Sequence, residues 1–220
     1  MLETLDLNPQ TKPPTATVIW LHGLGADMYD FESIVPELGI ADALGVRFVL
    51  PNAPTRPVAL NAGMVMRAWF DITEISRDQI EDEKGIRESE CSIRDLIARE
   101  TESGVPPSRI VLAGFSQGGA LAFQTALRHP DRLAGILALS TYLPLRGSLE
   151  AEASEANRDV PIFLAHGTED PVVPTEYGRL SRRWLDDAGY PVEWHDYPMG
   201  HQVCLEEIED IAAWLRRVLA

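Results

Sequence analysis

Short apolar, β-branched runs alternate along the chain with longer amphipathic stretches. The runs Thr17–Leu21, Val46–Leu50, Ile110–Ala113, Leu133–Leu139, Val160–Ala165 and Val192–Tyr197 predict strands. Most are apolar at successive positions, as expected of strands covered on both faces in a parallel sheet. Between them, Arg77–Thr101 carries Ile80, Ile86, Ile93, Leu96 and Ile97 among Glu and Arg, a helical apolar stripe interrupted by Gly85. Ala120–Arg128, Thr175–Ala188 and Val203–Leu219 predict further helices. Strand-then-helix order repeated in this way predicts an α/β fold with right-handed crossovers and a mostly parallel sheet. Two stretches break the alternation. Pro51–Glu74 is rich in Pro, Met and aromatics without a period, and Ser140–Asp159 reads as a long polar connection; loops of this length are usually functional or mobile.

Charge and composition narrow the function. The 220 residues are 45% hydrophobic and 24% charged, and 34 Asp+Glu against 19 Lys+Arg give a net charge of −15. No composition shift or Ser/Gly-rich linker divides the chain, which predicts one domain over residues 1–220. Nucleic acid is not an expected partner, because counterion release needs clustered cations and no basic run exceeds Arg182-Arg183 or Arg216-Arg217. Met1–Pro14 has one Lys and no apolar core of a secretory signal, and no apolar run approaches a membrane span. A cytoplasmic protein without membrane insertion is the expectation. Cys91 and Cys204 have neither metal-ligand spacing nor a CxxC pairing, so no zinc site or disulfide framework is expected.

The chemistry concentrates at Gly114-Phe115-Ser116-Gln117-Gly118-Gly119, where a predicted strand runs into a helix. This is G-x-S-x-G in its strand–turn–helix context: the flanking glycines permit a sharp turn that presents the serine hydroxyl above the sheet at a helix N-terminus. A serine needs a general base, and the base needs an acid to orient it. Chains built on such a turn run in the order Ser, acid, His. Of the histidines beyond the nucleophile helix, His195 sits inside a predicted strand and His166 ends one. His201 lies in a loop before the last helix and is the candidate base. The loop His166-Gly167-Thr168-Glu169-Asp170-Pro171 offers two acids; Asp170 is preferred because Pro171 holds it extended, with Glu169 as the alternative. His166 then reads as a structural partner of this loop. An oxyanion needs backbone N–H donors, one from Gln117 and a second from His22-Gly23-Leu24-Gly25, where Leu24 is the candidate. Gly23-x-Gly25 lacks the third glycine of a dinucleotide loop, and no Walker sequence is present.

Together with Gly200-His201 and the run from His166 to Pro174, these motifs resemble the carboxylesterase and acyl-protein thioesterase family, and look most like its bacterial carboxylesterases. The resemblance covers nearly the whole chain. It implies an α/β-hydrolase fold, with a mostly parallel sheet, helices on both faces and no cap domain, and a triad of Ser116, Asp170 and His201 that needs no metal or organic cofactor. It favours Asp170 over Glu169 and supports the Leu24 and Gln117 amides as oxyanion donors. Arg67-Ala68-Trp69-Phe70-Asp71 matches a family motif beside the active site, and the same likeness implies that Met64, Val65 and Trp69 line an acyl groove.

The implied activity is hydrolysis of short- to medium-chain carboxylic esters, with acyl thioesters or lysophospholipids as alternatives. A catalytically silent binding protein on the same scaffold is the reading from another class. Some family members dimerise, so a homodimer is an open partner state, and the sequence names no interface. An acidic surface disfavours anionic membranes and anionic acyl donors such as acyl-CoA, which favours neutral esters.

Overall fold

The computed structural model describes residues 2–74 and 81–220. Its strands are β1 (Thr4–Leu7), β2 (Ala16–Leu21), β3 (Val46–Pro51), β4 (Thr55–Val58), β5 (Met64–Arg67), β6 (Ile110–Phe115), β7 (Gly135–Leu139), β8 (Ile162–Gly167) and β9 (Val192–Tyr197). Its helices are α1 (Ile34–Leu38), α2 (Ala41–Leu44), α3 (Glu83–Glu102), α4 (Gln117–Arg128), α5 (Arg146–Glu152), α6 (Thr175–Asp187) and α7 (Leu205–Val218). Seven strands form one sheet in the order β1-β3-β2-β6-β7-β8-β9. Only β1 is antiparallel to its neighbour.

Both faces of the sheet are covered, and the two-residue alternation of strand side chains divides the core. Ile19, Leu21, Leu112 and Leu164 pack on one face with α3, α4 and Leu185 of α6. Val18, Trp20, Val111 and Phe163 pack on the other with Val35 and Leu38 of α1 and with Ile211, Trp214 and Leu215 of α7. Strands buried on both faces explain why their sequences lack polar alternation.

Several boundaries differ from those the sequence predicts. The helix expected over Arg77–Thr101 starts at Glu83, because Asp82 caps it by accepting from the Gly85 N–H at 3.0 Å. Gly85 therefore sits in the first turn instead of interrupting the helix; residues 77–80 of that expectation lie outside the described residues. Leu133 and Ala134 lead into β7 without belonging to it, with the Leu133 N–H held by the side chain of Asn157 at 2.9 Å. The connection 140–159 contains α5, which buries Leu149 and offers Glu152 to Arg87 and Arg128 at 2.7 and 2.6 Å. Its polar composition reflects charge pairing on a short helix. The stretch 51–74 holds an antiparallel ribbon, β4 with β5, followed by the fully buried Trp69. Strand β1, with its alternating Thr-Leu-Asp-Leu, is an edge strand too short to stand out by pattern.

Candidate active site

Ser116 occupies the turn between β6 and α4 with φ 53° and ψ −119°, a conformation that a residue with a Cβ adopts only under constraint. The constraint comes from both sides: the Ser116 N–H donates to Leu139 O at 2.8 Å, and its carbonyl accepts from the Thr141 hydroxyl at 2.6 Å. A Cβ at Gly118 would stand 2.3 Å from the carbonyl oxygen of Leu21, so this glycine lets α4 start directly against the end of β2. The helix accordingly begins at Gln117, earlier than the apolar pattern from Ala120 predicts. Helix geometry leaves the Gln117 N–H without an intrahelical acceptor.

The loop after β2 is braced on both sides of Leu24. The His22 imidazole donates from Nδ1 to Gly23 O at 2.7 Å and accepts the Ala53 N–H on Nε2 at 3.0 Å. One nitrogen must donate and the other accept, so the ring is neutral, and burial lowers its pKa in the same sense. Gly25 N–H donates to Arg67 O at 2.8 Å. Leu24 lies between these anchors and borders the same cavity as Ser116.

The loops after β8 and β9 interlock. Thr168 and Glu169 N–H groups donate to Tyr197 O and Met199 O at 2.8 and 3.0 Å. A Cβ on Gly167 would meet the Met199 and Gly200 carbonyls at 2.4 Å, so only glycine allows this approach. Asp170 is buried, and its Oδ1 accepts the Val172 and Val173 N–H groups at 2.8 Å each. His201 Nδ1 donates to its Oδ2 at 2.7 Å. An ionised carboxylate only accepts, so His201 carries its proton on Nδ1 and keeps Nε2 as a base. Phe115, next to the serine, packs its ring 4.6 Å from the imidazole. Glu169, the alternative acid, is exposed. His166 stands behind Asp170, donating from Nε2 to Val173 O at 2.7 Å, and burial lowers its pKa. His195 stacks on Phe163 at 4.6 Å and faces Glu193 and Asp210, which is a structural setting.

Ser116, Gln117, Leu24 and His201 border one cavity of about 310 Å³, whose apolar walls include Leu60, Ile72, Tyr142 and Val172. The groove residues expected from the sequence stand elsewhere. Met64 and Val65 are exposed on the outer part of the β4–β5 ribbon, and neither borders the cavity. Trp69 is fully buried behind the cavity: its indole N–H donates to His22 O at 2.9 Å and its backbone N–H to Gln117 Oε1 at 2.8 Å. Trp69 thus supports the loop after β2 and does not form a wall, because its indole N–H is used inward. The Gln117 side chain completes the clamp by donating to Phe70 O at 2.8 Å, and the Ser89 hydroxyl of α3 donates to Trp69 O. Sequence reasoning missed these supports and the wall residues Leu60, Ile72 and Val172. The adjacency of His22 to the Gly-rich loop and the Trp69-Phe70 pair were the only signals.

Comparison with known proteins places the chain among enzymes of one family. The family model described as Phospholipase/Carboxylesterase matches residues 3–219. Acyl-protein thioesterase 1 of Mycosarcoma maydis is 41% identical over 235 aligned positions, covering 100% of this chain and 98% of the relative. Among solved structures, Arabidopsis thaliana SOBER1 superposes with a TM-score of 0.88 at 32% identity, covering 93% of this chain and 99% of that one. Zea mays acyl-protein thioesterase 2 also gives 0.88, at 28% identity over 100% of both chains.

Proposed function

Because this chain belongs to the phospholipase/carboxylesterase family, we propose that it is a serine hydrolase of carboxylic esters and acyl thioesters, with Ser116, Asp170 and His201 as triad and the Leu24 and Gln117 amides as oxyanion donors. The observation that carries this reading is the His201–Asp170 hydrogen bond of 2.7 Å at the rim of the cavity that holds Ser116 on its constrained turn.

In the first half-reaction Ser116 Oγ attacks the acyl carbonyl carbon and its proton passes to His201 Nε2. Asp170 stabilises the imidazolium through the Nδ1–H it already accepts. The oxyanion lies at the N-terminus of α4, where two backbone donors and the helix dipole oppose its charge. His201 then protonates the departing alcohol or thiol, leaving an acyl-serine. Water, deprotonated by His201, attacks that ester and releases the acid. Each step moves one proton along one axis, and none calls for a metal or organic cofactor.

Leu60, Ile72 and Val172 supply an apolar wall for the acyl chain, and a partly open groove discriminates by only about 1–3 kcal/mol per methylene. Acyl-protein thioesterase activity is the second reading, favoured by the names of the relatives. Lysophospholipid hydrolysis is a variant of the same chemistry. The reading takes residues 1–220 as one domain, in the cytoplasm, as a monomer or homodimer; no helix among the described residues is long and apolar enough to cross a membrane.

The test is treatment with a fluorophosphonate followed by peptide mapping and an ester and thioester chain-length panel. A single adduct on Ser116 with turnover of the panel is the expected result. A folded protein that takes no adduct would be a silent binding protein, and the reading would fall.

A further inference from the structure

Among the described residues, the cavity around Ser116 has one carboxylate in its wall, Asp30. The same residue borders a second cavity, of about 420 Å³, that lies beyond His201 and Phe115 and reaches Gln202 and Val203. Asp30, Phe115 and His201 border both spaces. The backbone of Asp30 is fixed, its N–H donating to Asp27 O at 3.1 Å in a turn closed by the Asp27 carboxylate on the Tyr29 N–H at 2.9 Å. Its carboxylate is not. Among the described residues no hydrogen-bond donor or cation pairs with it. Lost solvation, then the like charge of Asp27, raise its pKa above the usual carboxylate value. Asp30 is nonetheless exposed, and a cation entering here would offset the like charge of Asp27.

Apart from Asp30, the wall of the first cavity is apolar at Leu60, Ile72 and Val172 and suits an acyl chain, while the second cavity adds Gln202 beside Asp30 and His201. His201 must hand its proton to the departing heteroatom, so the alcohol or thiol leaves on the imidazole side. We propose that Asp30 and the cavity beyond His201 form a leaving-group subsite that selects esters and thioesters whose alcohol or thiol carries a cation. This rests on the hydrolase reading above. It also refines the expectation of neutral substrates drawn from the net charge: the diffuse acidic surface disfavours anions, whereas Asp30 rewards a cation at one place.

The experiment compares butyrylcholine with 3,3-dimethylbutyl butyrate, which has the same shape with carbon in place of the charged nitrogen. kcat/KM is measured at low salt for the wild type, for Asp30→Asn, and for Glu102→Gln, which removes the same charge from an exposed position at the far end of α3. The wild type is expected to prefer the cation by about fivefold or more, the scale of a partly solvated ion pair. Asp30→Asn should bring that ratio to about one, and Glu102→Gln, outside the cavity, should leave both the ratio and the turnover of the neutral ester unchanged. A ratio insensitive to Asp30→Asn, absent in the wild type, or equally reduced by Glu102→Gln would overturn the subsite. Loss of turnover of both esters together with no fluorophosphonate adduct would be the failure of the hydrolase reading instead.

Discussion

Asp170 grips His201 with one oxygen, 2.7 Å from Nδ1, while its other oxygen is occupied by the Val172 and Val173 amides. The carboxylate therefore cannot rotate without breaking two backbone hydrogen bonds. In Asp170→Asn, those amides keep the side-chain oxygen and the NH2 group turns toward His201. The ring must then accept on Nδ1 and carry its proton on Nε2, the wrong tautomer for a base. Turnover of a p-nitrophenyl ester should fall by about 10⁴-fold with the fold intact. A loss below tenfold would show that Asp170 does not set the tautomer.

Replacing the nucleophile separates chemistry from strain. Both Ser116→Ala and Ser116→Gly should lower kcat by about 10⁶-fold. Only glycine accepts φ 53° and ψ −119° without a Cβ penalty. Calorimetry should therefore find Ser116→Gly more stable than Ser116→Ala, by about 1 kcal/mol. Equal melting temperatures would mean that the turn stores no strain.

Gln117 serves through both its main chain and its side chain. Gln117→Ala keeps the amide but leaves the Trp69 N–H and Phe70 carbonyl without their partners. Buried groups orphaned in this way cost about 1–3 kcal/mol. A lower denaturation midpoint with an unchanged m-value is expected, along with reduced kcat because the clamp behind Leu24 loosens.

Two buried histidines set an acid limit. Burial depresses the pKa of His22 and of His166 in the folded state below the ordinary 6.5. As pH falls through 6.5 the unfolded chain takes up protons that the folded chain does not, so stability is full above 6.5 and declines below it. Each histidine contributes a slope of at most about 1.4 kcal/mol per pH unit. Unfolding free energies measured from pH 7.5 to 5 in a Glu207→Gln background, which removes the opposing titration of that acid, should show the decline, and adding His166→Gln should halve its slope.

Glu207 acts in the opposite direction. Its side chain is fully buried on α7, and burial pushes its pKa from 4.5 up to about 8. Between those values the folded state holds a proton that the unfolded state releases, so this group's contribution is complete below 4.5 and is lost as pH rises toward 8. Glu207→Gln, which mimics the protonated form, should gain stability relative to wild type as pH increases from 6 to 9. Parallel pH curves for the two proteins would refute the buried-acid account.

What the sequence made legible follows from how local each signal is. Ser116 stood out because the strand, the turn glycines and the helix lie within about a dozen consecutive positions. The inward-facing strands stood out because a short unbroken apolar run between turn signals is what a sheet covered on both faces requires. Ser116, Asp170 and His201 follow the chain order of the motif, and a hydrogen bond joins the latter two. The groove did not follow, because walls come from residues such as Leu60 and Val172 that are unremarkable locally and meet only in space. Trp69 was misread for a related reason: a large aromatic beside a functional motif has the same sequence signature whether it faces the cavity or supports it from behind. The fate of its indole N–H, which donates inward to His22 O, decides between them and is invisible to pattern.

The loops that carry Leu24, Ser116, Asp170 and His201 issue from the ends of β2, β6, β8 and β9, strands joined through parallel pairings between segments far apart in sequence. Helices such as α3 and α7 can form from local contacts early in folding, yet none of them assembles the site. The last loop also has to lock onto the loop before it through Thr168 and Glu169. Recovery of enzymatic turnover after dilution from denaturant therefore times the completion of the whole sheet, and it should trail the return of helical circular dichroism. A collapsed, helix-rich chain with a misregistered β9 would look folded to spectroscopy and be inert.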